Sequence, residues 1–339
     1  MELLEVSADD RAGIAELVRI TNTALAVDAP FEREVTPYSV AMEVEHGWDG
    51  EPGRHFLAAV GRQAVGLAEV HTSEYDNRDL AWINVVVEPA LRRRGYGSAV
   101  LEQALGTCVS MGRSSITGDA WLDDGVDAFA TLHGFTGALV SARRRHDLAA
   151  QPPGLADAQY VEAQAAAEDY ELVRLHGRTP EDLVERLAVA TGAINDAPLD
   201  DLEMEDEAYP PERIRAYEDA QLARGPGLYR ILALHRASGD IAGHTVVMVD
   251  PEQPAYAEQH DTSVVTAHRG HRLGQLLKAD MVRWLREVEP QLRHVDTWNA
   301  ASNTHMIEVN ERLGYRLLGT AMSYQRRLPA SRPAQPSKV

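Results

Sequence analysis

The sequence predicts an α/β (α+β) protein built of two similar halves, and three observations carry that prediction. A strand-like run, "LAWINVVVEP" (80–89), leads into the turn "RRRGYG" (92–97) and then into an amphipathic helix. The same succession returns 177 positions later, where "HDTSVVTA" (260–267) leads into "RGHRLG" (269–274). Downstream, "FATLHGF" (129–135) places Gly134 42 residues after Arg92, and "NERLGY" (310–315) places Gly314 45 residues after Arg269. A shared order at nearly shared spacing is the mark of an internal duplication.

The elements follow in order. Helix-like stretches near 8–25 and 37–48 precede the strands "HFLAAV" (55–60) and "AVGLAEVHT" (64–72); the run 80–89, the turn and the helix "GSAVLEQALGTCVSMG" (97–112) come next. In the second half "PEDLVERLAVATGAIN" (180–195) reads as a helix with Pro180 in its first turn. "PERIRAYEDAQLARG" (211–225) is a second helix, ended by Gly225. The strands "GLYRILALH" (227–235) and "DIAGHTVVMVD" (240–250) are joined by the turn "RASGD". "HDTSVVTA", its turn and the helix "QLLKADMVRWLREV" (275–288) complete the match, and "SARRRHDL" (141–148) and "SYQRRLPA" (323–330) read as closing strands. The expected boundaries are a first domain at 1–150, a Pro- and Ala-rich linker at 151–168, a second domain at 169–328 and a disordered tail at 329–339.

The bulk numbers fit this division. A chain of 339 residues is long enough for two domains with a full core each. Its 44% apolar and 25% charged residues are those of a soluble globular protein. The early acids of "MELLEVSADDRAGIAEL" argue against a secretory signal, and no run approaches the roughly 18 apolar residues of a membrane span. The single cysteine, Cys108, has no partner for an internal disulfide, which fits a reducing cytoplasm, and reads as a buried thiol. A net charge of −19 argues against nucleic acid and anionic membranes as partners. Lysine occurs only at Lys278 and Lys338, a bias that carries no mechanistic weight.

The repeated turn carries chemistry. A helix start offers unpaired N–H groups and a partial positive charge. Gly95 and Gly97 lack a Cβ, so a ligand can lie against the backbone, and Arg92, Arg93 and Arg94 add charge. The ensemble suits a pyrophosphate. It is not a P-loop, since no lysine followed by Ser or Thr comes after the glycines, and it is not a dinucleotide fingerprint.

R-x-x-G-x-G after a strand, followed by a motif ending in Gly-Phe or Gly-Tyr, resembles the GNAT acyltransferases. Both halves carry it, so the chain resembles tandem GNAT proteins of high-GC bacteria, a group that includes members from antibiotic clusters such as that of clavulanic acid. The resemblance implies, in each half, a mixed, mostly antiparallel sheet with a splayed strand pair flanked by helices. It implies acetyl-CoA or another acyl-CoA as donor and direct attack by a small-molecule amine. In the first half the pantetheine is expected on Val85, Val86 and Val87, and the pyrophosphate on the turn from Arg92 through Arg93, Arg94, Gly95, Tyr96 and Gly97 to Ser98. In the second half the corresponding positions are Thr262, Val264 and Val265, then Arg269, Gly270, His271, Arg272, Leu273 and Gly274. Asn303 is expected to touch the CoA arm, although an Asn entering a helix is also an ordinary N-cap.

The halves depart from the pattern differently. Arg272 stands where the family prefers glycine; it either swings out to bind phosphate or narrows the second site. The first half is therefore expected to hold acyl-CoA more tightly, as a structural ligand. Where family members often have a tyrosine as the thiolate's acid, this chain has Ala130 and Asn310. The polar inventory favours catalysis in the second half, with Asp261 as base, Asn299 orienting the acceptor and Tyr324 as acid. The bland alternatives are an Asp paired with an arginine and a Tyr in the core, and Glu69 is a first-half base candidate. "HRGH" (268–271) lacks a third ligand, so no metal site is expected. The acidic stretch "NDAPLDDLEMEDEAYPPE" (195–212) falls where the family's acceptor pocket is overlaid. The expected protein is thus a cytoplasmic acyl-CoA-dependent N-acyltransferase, a monomer or weak homodimer. A non-catalytic acyl-CoA sensor or scaffold is the alternative.

Overall fold

The computed structural model describes residues 1–328; the tail expectation at 329–339 lies outside them. The first half contains β1 (Glu2–Val6), α1 (Arg11–Asp28), α2 (Pro37–His46), β2 (Arg54–Val60), β3 (Gln63–His71), β4 (Leu80–Val87), α3 (Tyr96–Ser110), β5 (Ser115–Trp121), α4 (Asp124–Leu132) and β6 (Thr136–Asp147). After α5 (Leu155–Gln164), the same order repeats as β7 (Tyr170–His176), α6 (Glu181–Thr191), α7 (Pro211–Arg224), β8 (Leu228–His235), β9 (Ile241–Val249), β10 (Tyr256–Val264), α8 (Leu273–Val288), β11 (His294–Ala300), α9 (Thr304–Arg312) and β12 (Tyr315–Arg327).

Local chemistry explains the helix starts. Asp10 caps α1 by accepting from the Gly13 amide at 2.9 Å, and Ile14, Leu17, Ile20 and Ala24 form its buried stripe. Thr36 and Ser39 make a reciprocal capping box ahead of α2, with Pro37 in its first turn. Helices cover both faces of the sheet. In the first half α1 packs on one face and α3 on the other; α6 and α8 do the same in the second.

The described strands form one twelve-stranded sheet in the order β1-β2-β3-β4-β5-β12-β6-β11-β10-β9-β8-β7. The closing strands are exchanged. β12, from the end of the chain, lies beside β5 of the first half, while β6 lies beside β11 of the second. The two then pair with each other across the middle of the molecule. The stretch 151–168, expected as a linker, contains α5. Its Ala156 and Ala163 are fully buried against α8, because alanines at this spacing let two helices approach closely.

Both splayed pairs are present. β4 and β5 run parallel and pair only from Leu80↔Ser115 to Trp82↔Thr117, after which they part. β10 and β11 pair only from Tyr256↔His294 to Glu258↔Asp296. The inner edges of Ile83–Val87 and of Gln259–Val264 are left to meet a ligand rather than a neighbouring strand.

Candidate active site

The two phosphate-type turns share one backbone. Each needs two residues in the left-handed region, at its second and fourth positions. In the first turn these are Arg93 (φ +63°) and Gly95 (φ +84°); in the second they are Gly270 (φ +88°) and Arg272 (φ +55°). A Cβ built on Gly95 or Gly270 meets no atom within 4 Å, so both turns present open backbone next to a helix N-terminus. This fits an acyl-CoA pyrophosphate.

The first arginine of each turn has another task. Arg92 donates from Nε to the Val87 carbonyl at 3.1 Å and grips Asp28 with both terminal nitrogens at 2.6 Å. Arg269 repeats this with the Val264 carbonyl at 3.2 Å and with Asp196. The guanidinia clamp the strand end to the end of the half's first helix, at its last residue Asp28 in the first half and at Asp196 in the turn that follows α6 in the second, and their charge is already engaged. Arg93 and Arg94 remain exposed. Tyr96 packs on the first-half core, Gly97 lies near Phe129 of α4, and the Ser98 hydroxyl is 2.9 Å from His133 Nε2. In the second turn Leu273 is buried, a Cβ on Gly274 would have open space, and the exposed His271 lies beside Tyr170. The Arg272 side chain pairs with Glu162 of α5. A carboxylate of α5 therefore stands beside the fourth position of the second turn.

Val85 faces the first-half core on the α3 side and Val86 the core on the α1 side, while Val264 and Val265 divide in the same way in the second half. Asn303 caps α9, its side chain accepting from the Met306 amide at 3.2 Å; the capping reading holds for this side chain. Asn299 accepts from Asn310 Nδ2 at 2.7 Å. Tyr324 is not in the second site. The strand exchange carries it to the first half, where it lies opposite Gly118 of β5 in the core beneath α3, 5% exposed and without a partner for its hydroxyl. Burial, with Asp127 nearby, pushes its pKa up.

Asp261 sits at a bulge in β10, between the pairs Gln259↔Val247 and Thr262↔Thr245. It lines two neighbouring cavities. The inner chamber, about 170 Å³, is also walled by Tyr209, Arg213, Tyr217, Arg230 and Glu207. The outer one, about 510 Å³, is bounded by Arg33, Arg143, Glu258, His260 and Trp298, and Trp48 lines both. Burial first, and the neighbouring Glu207 carboxylate second, push the Asp261 pKa up to about 6, with Arg230 and Arg213 pulling the other way. Arg213 is spent on Asp49 at 2.9 Å and Asp76 at 2.6 Å rather than on Asp261.

The second half's cleft is thus walled partly by the first half. The turn carrying Trp48 and Asp49 docks on α7: Gln221 donates to the Trp48 carbonyl at 2.7 Å, and Gly50 comes so close to Ala216 that a Cβ there would sit 3.1 Å away. The acidic stretch 195–212 lies over the chamber, with Glu207 and Tyr209 pointing in, and is pinned to the first half through Asn77 and Asp76. Sequence reading missed Trp48, Asp49 and Arg230, because their meeting with Asp261 depends on how the halves pack.

The corresponding row in the first half is built differently. Registers anchored at Gly66↔Val87 and Gly243↔Val264 place His55, Glu69 and Asn84 where Arg230, Val246 and Asp261 stand. Asn84 donates to Glu69 at 2.9 Å, and His55 Nδ1 lies 3.4 Å from the same carboxylate. Among the described residues no group of three or more His, Cys, Asp or Glu is arranged to hold a metal, and no helix is long and apolar enough to cross a membrane.

Splayed strands, open turns and a carboxylate-bearing cleft define a duplicated acyl-CoA-dependent acyltransferase. The chain belongs to the acetyltransferase (GNAT) family, whose model matches residues 21–135 and 194–315. Among solved structures it is similar to a tandem GNAT protein from the clavulanic acid biosynthesis pathway, at 23% identity over 98% of this chain and 99% of that one, TM-score 0.78. It is also similar to a GCN5-related N-acetyltransferase from Sphaerobacter thermophilus (16% identity, 97% of each chain, TM-score 0.65). A third likeness is to the glucosamine N-acetyltransferase region of a fungal multi-domain β-N-acetylglucosaminidase (14% identity, 95% of this chain and 38% of that one, TM-score 0.68). No curated protein matches the sequence. Members of the family generally use acetyl-CoA or another acyl-CoA and act on small-molecule acceptors.

Proposed function

We propose that the second half transfers an acyl group to a small-molecule amine bound in the cleft between the halves, with Asp261 as base. The observation that carries this reading is the Asp261 carboxylate, facing a partly enclosed chamber at the splay of β10 with no hydrogen-bond donor of its own among the described residues. Acyl-CoA supplies the acyl group as a thioester, and the acceptor nitrogen displaces its thiol. Asp261 then takes the proton that the nitrogen loses on acylation. Backbone N–H groups on the open edge of β10 are free to bind the carbonyl oxygen, where charge gathers. No acid is required, since a thiol of ordinary pKa near 8.5 leaves readily as thiolate. The first half, where Asn84 ties up Glu69, holds acyl-CoA as a retained ligand in this reading. Biosynthesis of a small molecule as the setting is supported by the likeness to the clavulanic acid pathway protein.

The test is release of free thiol from acetyl-CoA across an amine panel, by the native chain and by Asp261→Asn. We expect at least a 100-fold loss of kcat/KM in the variant, with CoA retention by native mass spectrometry unchanged. Equal turnover would remove Asp261 from the mechanism. Absence of thiol release with every amine would favour the non-catalytic reading.

A further inference from the structure

Arg230 of β8 lines the inner chamber yet is only 2% exposed. Its Nε finds no partner. One terminal nitrogen lies 3.2 Å from His244 Nδ1, and burial together with the Arg230 charge keeps that imidazole neutral. The carboxylate beside it, Glu218, is 3.8 Å away and already serves Arg215 at 2.8 Å and the Thr179 amide at 3.1 Å. The Tyr217 ring lies 5.9 Å from its guanidinium carbon, but a buried guanidinium with so few hydrogen-bond partners is costly until something completes it. Arg213, the other guanidinium of the chamber, is by contrast saturated by Asp49, Asp76 and the Ala208 carbonyl.

Two strands away, across the apolar Val246, stands Asp261, a carboxylate equally short of partners. One small cavity therefore presents an underused positive group and an underused negative group on opposite sides of a strand. We propose that the chamber takes a compact zwitterionic amino acid, its carboxylate on Arg230 and its amino group at Asp261. This deepens the reading of the cleft as the acceptor site and rests on it. A diamine would bring a second positive charge against Arg230, and a simple carboxylic acid would leave Asp261 facing Glu207 unrelieved. Size agrees: a cavity of about 150 Å³ accommodates benzene, so about 170 Å³ admits an amino acid with a short side chain.

The experiment is calorimetric titration of the full chain, saturated with CoA bearing no acyl group. The ligands are the α-amino acids up to leucine in size, β-alanine and 4-aminobutyrate, each compared with its amide and its decarboxylated amine. At least one amino acid should bind ten-fold or more tightly than both of its neutralised counterparts. In Arg230→Met, which keeps the apolar stem, that ratio should fall toward one. The proposal is overturned if, for every amino acid that binds, the amine or the amide binds as well as the parent, and equally if none of the amino acids binds. The native-chain comparison decides the matter even if the variant does not fold. The same ligands in the thiol-release assay separate the two claims. Selective amino-acid binding without turnover leaves this proposal standing and sinks the catalytic reading; turnover of amines alone does the reverse.

Discussion

The two phosphate-type turns reach one backbone by opposite assignments. Arg93 and Gly95 fill the two left-handed positions of the first; Gly270 and Arg272 fill them in the second, in reversed order. A left-handed non-glycine residue costs roughly 1 kcal/mol, so each turn bears one such cost, and the duplication preserved the conformation rather than the residue at each place. What differs is the surroundings. The second turn has Glu162 of α5 beside it, and the second strand row has Asp261 facing a chamber where the first has Asn84 bound to Glu69. The halves are alike in what holds a strand-to-helix turn and unlike in what faces a ligand.

The strongest way to break this comparison is to separate the halves. Residues 1–150 alone lack β12, leaving the β5 edge open and the place of Tyr324 empty. We expect complete loss of a cooperative monomeric melt, read by circular dichroism and sedimentation; a folded monomer would refute the exchange of closing strands.

Next in size is the contrast between the two carboxylates. Glu69→Gln should change kcat/KM by less than about three-fold, against the 100-fold or more expected for Asp261→Asn. Asp261 acts when ionised, so kcat/KM should rise with pH through about 6 in the native chain. That limb should vanish in Asp261→Asn. A limb that survives assigns it to another group.

Lys278 stands nine residues into its turn and helix, at the place of the buried Leu101 in the first half. Burial brings its pKa down to about 7. A base whose folded value lies below its unfolded one costs stability fully below pH 7, and the cost fades as pH rises toward the unfolded value. Lys278→Met should therefore stabilise the protein by up to about 5 kcal/mol below pH 7, with the gain shrinking toward pH 10. A pH-independent difference in denaturant midpoints would show that the amine is neutral or solvated throughout.

The smallest effects sharpen the turns themselves. Gly95→Arg should weaken CoA retained by the first half about ten-fold, since a side chain there would occupy the open space over the backbone at a left-handed φ of +84°. Glu162→Gln should strengthen CoA binding at the second turn a few-fold by removing a like charge. Titration by native mass spectrometry reads both, and equal retention in Gly95→Arg would mean that the ligand does not approach that backbone.

Much of this was legible in the chain order alone. The duplication, the helices about Ile14–Ala24 and 211–224, the strand-turn-helix units and the placement of Asp261 on a strand leading into a turn all follow from local pattern, because periodicity and turn chemistry act within a few residues. Strands β1, β5, β7 and β11 carried no comparable signal, and α5 was hidden by its alanine-rich polarity. Which half Tyr324 serves could not be read from its position, because two closing strands of one pattern fit either sheet equally well and only packing chooses between them. The same holds for the cleft. Trp48, Arg230 and Asp261 are separated by 182 and 31 residues, and no local rule brings them together. The repeated unit and its strand-turn-helix chemistry were set within short stretches of chain; the walls of the second half's chamber were set by packing, because a chamber forms only where surfaces distant in the chain fail to close on one another.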